Sequence, residues 1–501
     1  MNLLSRQQMY DCDRDTINEI GIPGKVLMEN AGRGSAEYIR DNILNAGKIL
    51  IFCGSGNNGG DGFVIARYLC SWDYNVTVIL TGKTEKMTAE TLENYQSCLD
   101  LNITMRAISS FETWQALKID IADYSLVIDA IFGVGLKGNL RGWIVQLAGE
   151  INDRSKLTVA IDIASGIDAD NGSAQTAIQA DHTLTMAAIK YGSIMEAGKW
   201  HSGKITVIDI GIPQEMINGK KPQSVLIDAG SAILPERRGY YHKGNYGRIA
   251  IIAGSPGYSG AAVLSSRAAL RSGAGLITLF HPQGMELIFE TQLLEVMTRV
   301  IPENSEEFTE QLDKFDAILF GPGVGKSQAV EAILEMLIRE WEKPLVIDAD
   351  GLNLLSYRKD LLSGLKNKDV LLTPHIGEFS RLTGISANEI LKDPVKNLMV
   401  FCRQNKLKVL LKSSTSIFCD GEELLFCASG NDGLATGGSG DVLSGIIISF
   451  IGQGLSISKA ATSASWVLGD TAEKLTAKRE TRSIIPSDII ENLFTNISDL
   501  S

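Results

Sequence analysis

No two cysteines in this chain fall in a C-x-x-C pair. The seven present, Cys12, Cys53, Cys70, Cys98, Cys402, Cys419 and Cys427, are odd in number and scattered. That usage fits free thiols in a reducing compartment and argues against a disulfide framework. Histidine is equally sparse, and His182, His201, His242, His281 and His375 show no ligand spacing, which argues against zinc. Positive charge is short as well: 47 Lys and Arg face 59 Asp and Glu, for a net charge of −12. Such a surface repels nucleic acid and anionic membrane, so neither is expected as a partner. The longest apolar stretch, near Val442–Ile451, falls well short of the ~20 residues that span a bilayer. The first residues carry neither an apolar h-region nor an Arg-rich presequence, so a soluble cytoplasmic protein is expected. Repeats of 20 to 50 residues and low-complexity tracts are missing too, which excludes solenoids and long disordered segments.

What is there in excess is glycine, 50 residues of 501, above the usual ~7%. With no G-X-Y period, the excess points to tight turns and backbone-lined loops. A chain of this length makes two to four domains at about 150 residues each.

Short β-branched runs alternate with helix-length segments. In the first half the strand candidates are Lys48–Cys53, Asn75–Leu80, Ser125–Asp129, Leu157–Asp162 and Lys204–Ile210. In the second half they are Arg248–Ala253, Leu276–Phe280, Ala317–Phe320, Pro344–Asp348, Asp369–Leu372 and Leu407–Lys412. Runs this apolar predict parallel sheets covered on both faces, hence an α/β protein of two domains. The first reads as a Rossmann-like three-layer α/β/α domain. A polar stretch with two prolines and a Lys pair, Gly211–Gln223, follows a complete strand pattern. It places the boundary near residue 222, giving domains 1–222 and 223–501.

In open parallel sheets the ligand crevice lies outside the strand carboxyl ends. The first such loop is Gly54-Ser-Gly-Asn-Asn-Gly-Gly-Asp-Gly62, expected to enter a helix at Phe63. Its glycines would let the backbone approach an anion at a helix N-terminus. It is neither the spaced G-x-G-x-x-G fingerprint nor a Walker A loop. Two further strand ends, Asp129–Leu136 and Ala160–Gly166, join it. Asn58, Asp129 and Ser165 would offer hard oxygen ligands with at most one full charge, which suits a monovalent cation better than calcium or magnesium. Asp162 at a strand tip is alternatively a proton-transfer group.

These segments, Gly-Asn-Asn-Gly-Gly-Asp-Gly, Asp-Ala-x-Phe-Gly-x-Gly-Leu and Asp-x-x-Ser-Gly-x-x-Ala, resemble the NAD(P)HX epimerase domain. So do Ile189-Lys-Tyr-Gly192 and Gly198–Pro213. The resemblance implies that Asn57, Asn58, Gly59, Gly60 and Asp61 line the hydrated nucleotide, together with Gly133, Val134, Gly135, Leu136, Lys137, Gly138 and Asn139. It further implies that Asn58, Asp129 and Ser165 hold potassium, that Asp162 touches the substrate, and that the R and S epimers of NADHX or NADPHX interconvert. Ala164 stands where the family has proline.

The second half carries Gly321–Gly325, Asp348–Asn353, Leu372–Leu382 and, most densely, Gly433–Gly445. Thr436-Gly-Gly-Ser-Gly-Asp441 has the parts that phosphoryl transfer to an alcohol needs. Glycine N–H groups at a helix N-terminus stabilise the transferring group, and Asp441 takes the hydroxyl proton. This half, about residues 225 to 495, resembles the ribokinase-like fold and within it the ADP- or ATP-dependent NAD(P)HX dehydratase, through Thr-Pro-His-x-Gly-Glu-Phe and Ala-Thr-Gly-Gly-Ser-Gly-Asp-Val-Leu. That match implies that Ala261, Gly323, His375 and Asp441 bind the hydrate. Gly440 and the loop Lys412, Ser413, Ser414, Thr415 and Ser416 would bind the nucleotide, with Mg2+ bridging its phosphates. The family's Lys-Gly-x-Gly-Thr is here Lys412-Ser-Ser-Thr-Ser416, Leu294 stands where proline is usual, and Leu468-Gly-Asp470 replaces a His-Gly-x-Ala-Gly-Asp segment.

The whole chain thus resembles the bifunctional NAD(P)H-hydrate repair enzymes, for which a homo-oligomer is expected. Two rivals stand beside this reading: a small-alcohol kinase in the second half, or a non-catalytic binding module in the first.

Overall fold

The structure, a computed structural model, describes residues 1–43, 47–477 and 479–500, the last seven by backbone only. It divides into two compact units, Met1–Ser224 and Val225–Ser501. Among the described residues no helix is long and apolar enough to cross a membrane.

The first unit is built on seven parallel strands: β1 (Lys48–Cys53), β2 (Asn75–Leu80), β3 (Thr104–Ala107), β4 (Leu126–Ala130), β5 (Thr158–Ile161), β6 (His182–Met186) and β7 (Lys204–Ile208). Their order is β3-β2-β1-β4-β5-β6-β7, and each neighbouring pair runs parallel. Alternation along a strand sends successive side chains to opposite faces. In β1, Ile49, Ile51 and Cys53 pack with helices α2 (Gly24–Asn42) and α3 (Asn57–Ser71), whereas Leu50 and Phe52 pack with Trp114, Ile144 and Leu147. Both faces are covered, which is why the run reads as continuously apolar. The order reverses between β1 and β4, and this is where a crevice opens above the carboxyl ends. A two-stranded parallel patch, Leu3–Leu4 beside Ile189–Lys190, ties the chain start to the far side of that crevice. From there helix α1 (Arg6–Asp15) is capped by Ser5.

The second unit holds ten strands: β8 (Gln223–Ile227), β9 (Arg248–Ile252), β10 (Leu276–His281), β11 (Met297–Val300), β12 (Ala317–Phe320), β13 (Leu345–Ile347), β14 (Val370–Leu372), β15 (Lys408–Leu411), β16 (Ser416–Cys419) and β17 (Glu423–Cys427). Their order is β8-β17-β16-β15-β14-β13-β12-β9-β10-β11. The segment from β15 to β11 is parallel as expected. The expectation of a wholly parallel sheet fails beyond it, because β15, β16 and β17 pair antiparallel. Tight turns join those three strands, and a tight turn permits only antiparallel pairing. Every predicted strand is present to within two residues at either end, but β3, β6, β8, β11, β16 and β17 were not foreseen. Edge strands such as Thr104–Ala107 and Met297–Val300 are largely exposed and so carry no apolar run.

Helix α6 (Ser439–Gly452) is buried nearly all round and packs between α4 (Ser259–Arg271) and α7 (Ile457–Thr476). Gly445 makes the α6–α4 approach possible: a Cβ there would sit 2.3 Å from the Ser265 carbonyl oxygen. Gly445→Ala is therefore expected to lower stability by about 1–3 kcal/mol through overpacking. Chemical denaturation followed by intrinsic fluorescence checks this, and an unchanged midpoint refutes it.

Candidate active sites

In the first unit the Gly54–Gly62 segment is not the loop expected. Helix α3 begins at Asn57, so the Asn-Asn-Gly-Gly-Asp-Gly run forms its first turns, with Gly60 N–H bonded to the Gly56 carbonyl at 3.2 Å. The glycines chiefly serve packing. A Cβ on Gly54 would lie 2.0 Å from the Ile131 carbonyl oxygen, and one on Gly59 2.0 Å from that of Gly54. One on Gly62 would meet Ala130 and Cys53 at 2.7 Å. The start of α3 is thereby pressed onto the ends of β1 and β4.

A cavity of about 500 Å³ lies above these strand ends. Of the residues expected to touch the substrate, Asn57, Asn58, Asp61, Gly133, Val134, Gly135, Leu136 and Asp162 line it. Gly59, Gly60, Lys137, Gly138 and Asn139 do not. The two glycines face the α3 packing just described, and Asn139 turns away to accept the Gln175 N–H at 3.0 Å.

The carboxyl of Asp129 is fully buried. It accepts the Ser165 hydroxyl at 2.6 Å, the Ser165 N–H at 2.8 Å and the Ile131 N–H at 3.2 Å. Burial pushes its pKa up to about 6 against these hydrogen bonds. Asp129 and Ser165 are therefore one unit, and the loop keeps its anchor with alanine at 164. Ser165 Oγ also accepts the Phe132 N–H at 2.9 Å, next to Gly133. Among the described residues neither polar atom of the buried Asn58 amide has a partner. A Cβ on Gly133 would lie 3.2 Å from Asn58 Cγ and 2.9 Å from Asp162 Oδ2, so Gly133 separates the two side chains.

Asp162 follows β5 in a left-handed conformation, φ 68°. Its Oδ2 accepts the Val134 N–H at 3.0 Å, and its Oδ1 accepts from Lys190 Nζ at 2.5 Å. Lys190 is 0% exposed. Its other donors go to Thr185 Oγ1 at 3.0 Å and the Met186 carbonyl at 2.8 Å. Sequence reasoning included Lys190 in a matching segment but gave it no role, although a lysine inside the apolar run Ala187–Tyr191 was a usable signal. Asp13, brought by α1, was missed altogether. It lines the same cavity with Met9 and Tyr10. Burial pushes its carboxyl up to about 6, with Lys190 pulling down and Asp162 pushing up. Asp61 is held well above the usual carboxylate range, first by burial and then by Asp162 and Asp13.

In the second unit Gly323, His375 and Lys412–Ser416 follow β12, β14 and β15, whereas Ala261 lies in α4 and Gly440 and Asp441 lie at the start of α6, after β17. Gly323, at φ 62°, lies against Ala261: a Cβ there would come within 3.1 Å of the Ala261 Cβ. Gly438, at φ 100°, caps α6, and Asp441 stands in its first turn. Burial pushes the Asp441 carboxyl up to about 7; Asp348, Glu378 and Asp350 add to this, and Lys412 opposes it. Lys412 Nζ bonds Asp348 Oδ1 at 2.8 Å, and the other Asp348 oxygen accepts from the Ser444 hydroxyl. A Cβ on Gly440 would sit 3.4 Å from Lys412 Nζ, so the structure brings these two residues together. The Lys412 ammonium is favoured by Asp348 and Glu378 in spite of its burial. Asp348, Glu378 and Ser444 had no assigned part, although all three lay within motifs that sequence reasoning had singled out.

His375 is the N-cap of helix α5 (Ile376–Thr383): its Nδ1 accepts the Gly377 N–H at 2.9 Å, and Glu378 accepts the His375 N–H at 2.9 Å. Its ring remains 55% exposed. The missing glycines of the Lys412 loop leave no strain. None of Ser413, Ser414, Thr415 and Ser416 has positive φ, and Ser413 Oγ closes the turn on the Thr415 carbonyl at 2.7 Å.

Residues 24–192 match the family described as YjeF-related protein N-terminus, and residues 249–494 match NAD(P)H-hydrate dehydratase. The chain is 35% identical to a bifunctional NAD(P)H-hydrate repair enzyme of Moorella thermoacetica, over 98% of this chain and 96% of that one. It is 33% identical to a protein of the same name from Salinibacter ruber, over 98% and 95%. A ribokinase-like superfamily protein of Enterococcus faecalis V583 aligns with a TM-score of 0.51 at 24% identity, covering 56% of this chain and 98% of that one.

Asp129→Ala strips partners from a buried hydroxyl and two N–H groups, each worth about 1–3 kcal/mol when left unsatisfied. The first unit should then unfold at distinctly lower denaturant than in the unchanged protein. Hydrogen exchange at β4 and β5 reads it, and unchanged protection there refutes it.

Proposed function

The chain belongs to the bifunctional NAD(P)H-hydrate repair enzymes, and from that premise we propose how its residues divide the work. It is an epimerase and a dehydratase acting on hydrated nicotinamide nucleotides. We assign the epimerase to domain 1–222 and the dehydratase to domain 223–501. The protein acts in the cytoplasm as a homo-oligomer.

In the dehydratase domain, the hydrate rests against Ala261, Gly323 and His375. The nucleotide lies along Gly440 and Lys412–Ser416. Asp441 takes the proton of the hydrate's hydroxyl as that oxygen attacks the terminal phosphoryl group of ADP or ATP. The phosphorylated carbon then loses inorganic phosphate, the neighbouring ring nitrogen supplies the electrons, and loss of a ring proton restores the dihydronicotinamide. Coupling to nucleotide cleavage makes an otherwise reversible dehydration run toward repair. The observation that carries this reading is the Asp441 carboxyl, in the first turn of α6 and raised to about 7 beside the Lys412–Asp348 pair. Such a group is ionised in a useful fraction near neutral pH and is still basic enough to take a proton. Among the described residues no three His, Cys, Asp or Glu side chains could hold a metal. Magnesium would enter with the nucleotide phosphates and offset their charge.

In the epimerase domain, Asn57, Asn58, Asp61, Gly133–Leu136 and Asp162 hold the hydrate. The unpartnered amide oxygen of Asn58 and the Asp129–Ser165 pair fit potassium, which takes neutral and singly charged oxygens. Bound there, potassium would fix the loop after β4 against α3.

The test is to incubate the purified chain with mixed R and S hydrated NADH, potassium, magnesium and ADP or ATP. Recovery of reduced-nicotinamide absorbance from both epimers with release of free phosphate is expected, and the faster nucleotide identifies the donor. A stable phosphorylated product would instead establish the small-alcohol kinase. Recovery stopping at the S fraction would leave the first domain a binding module. With the S epimer alone, kcat should rise about tenfold per pH unit below about 7 and level off above it, as Asp441 ionises. Asp441→Asn should lower kcat by about 10²–10⁴; a variant within a few fold of the unchanged enzyme would refute Asp441 as the base.

A further inference from the structure

Epimerising a carbinolamine carbon requires hydroxide to leave from one face of the ring and water to return from the other. A single carboxylate is an awkward device for that, because the proton is given on one side and taken on the other. The cavity of the first unit offers more than Asp162. Helix α1 forms part of its wall and is clamped there: Arg6 N–H donates to Asp170 at 2.8 Å, and the Arg6 guanidinium bonds Asp168 at 3.0 Å, both on the segment that follows Asp162. Further along α1, the Tyr10 hydroxyl lies 3.2 Å from where a Cβ on Gly135 would stand. The helix thus reaches over the loop whose Val134 N–H holds Asp162. One turn on, Asp13 lines the cavity. Its carboxyl has neither a hydrogen bond nor an ion pair among the described residues. Both α1 and Asp13 lie ahead of the segment matched by the first family, which begins at residue 24.

Lys190 distinguishes the two carboxylates. All three of its N–H bonds end on protein: Asp162, Thr185 and the Met186 carbonyl. None is left to bind a ligand. The ammonium therefore acts on Asp162 by direct contact and on Asp13 only at longer range. Negative charge at Asp162 in turn raises the Asp13 and Asp61 carboxyls that share its cavity.

We infer that the epimerase site is a two-carboxyl device: Asp13, from α1, is a second catalytic acid–base group opposite in role to Asp162, and Lys190 is the positioning residue that sets the roles. This rests on the reading of the first domain as the epimerase. In one direction, Asp13 gives its proton to the departing hydroxyl oxygen. The carbon–oxygen bond breaks, the ring nitrogen lone pair forms an iminium, and water leaves. A second water adds to the other face, its oxygen forms the new bond, and its proton passes to Asp162 as the iminium electrons return to nitrogen. The net proton transfer from Asp13 to Asp162 is reversed when the opposite epimer reacts, or through solvent. Burial places the Asp13 carboxyl at about 6, close enough to neutrality for both forms to be used. The charged and titratable groups facing it are Tyr10 on its own helix, Asp61 on α3, Asp162 after β5, and Lys190. Asp61 is pushed above the usual carboxylate range first by burial and then by Asp162 and Asp13.

The test omits nucleotide, so that only epimer interconversion is read, and uses the full chain with a single epimer of hydrated NADH in H₂¹⁸O. The unchanged protein should place one solvent oxygen in the product for each inversion. Retention of the substrate's own oxygen would overturn the mechanism without any variant. Asp13→Asn should lower kcat by about 10²–10⁴ with KM within about threefold, and Asp13→Glu should recover part of the loss. Lys190→Met should lower kcat and move the acid limb of the pH profile upward, because Asp162 loses its counter-charge; a merely structural role would lower yield and leave the profile in place. An Asp13→Asn enzyme within about threefold of the unchanged one overturns the proposal. If the unchanged chain fails to interconvert the epimers at all, it is the epimerase reading that falls.

Discussion

Each unit is organised around one buried ammonium held against an aspartate at the carboxyl end of a parallel strand. In the first it is Lys190 with Asp162 at 2.5 Å, and in the second Lys412 with Asp348 at 2.8 Å. Removing two charges from water costs several kcal/mol per ion, so such a pair adds little net stability over an apolar replacement of the same volume. Breaking it is another matter, because the survivor is left charged and buried. The loops must therefore hold both partners in place. They do so at visible backbone cost: Asp162 and Ala349, the residue after Asp348, both have positive φ. The second carboxyls, Asp13 and Asp61 in one unit and Asp441 and Glu378 in the other, then titrate in a field set by that pair.

Two different constraints produce the glycine excess. Around α3, Gly54 and Gly59 lie where backbone meets backbone, and Gly60 and Gly62 lie against the side chains of Met28, Thr91, Ala130 and Cys53, so a Cβ at any of these four would press on a neighbour. Around Asp441 the demand is mostly conformational, with Gly323 and Gly438 at positive φ, while Gly440 keeps the approach to Lys412 Nζ open. The Gly54–Gly62 run thus marks, in its packing, a tightly seated strand end. The seating leaves Asn57, Asn58 and Asp61 lining the cavity of the first unit.

Strands buried on both faces were legible because Ile, Val and Leu recur without polar interruption, as in Lys48–Cys53 and Ala317–Phe320. Edge strands and the antiparallel extension were not, since their residues answer to solvent on one side and the turns Lys412–Ser416 and Asp420–Glu422 resemble ordinary loops. Asp162 and Asp441 were found because they sit in dense Gly motifs at strand or helix ends. Asp13 and Lys190 were not, because what makes them special is distance: α1 reaches the cavity from the chain start, and Lys190 meets Asp162 only through the pairing of β5 with β6 and the turn after it. The helix start at Asn57 was misplaced for a related reason. Glycine's poor helix propensity argued for a loop, and tertiary packing overrode it.

The two activities ask different things of similar parts, and the charges follow. Epimer interconversion is balanced, so its groups must return to their starting state in either direction. The first cavity accordingly holds three carboxyls and a single lysine, with no donor of that lysine left for a ligand. Dehydration is driven by nucleotide cleavage and needs a base that works one way while anionic phosphates arrive beside it. There the lysine meets the glycine turn, within reach of Gly440, and Asp348 holds it charged. A lysine whose donors all end on protein and a lysine that lies beside a glycine turn are the same kind of ion pair in different surroundings. The geometry of the adjoining loop, not the pair itself, decides which reaction each unit runs.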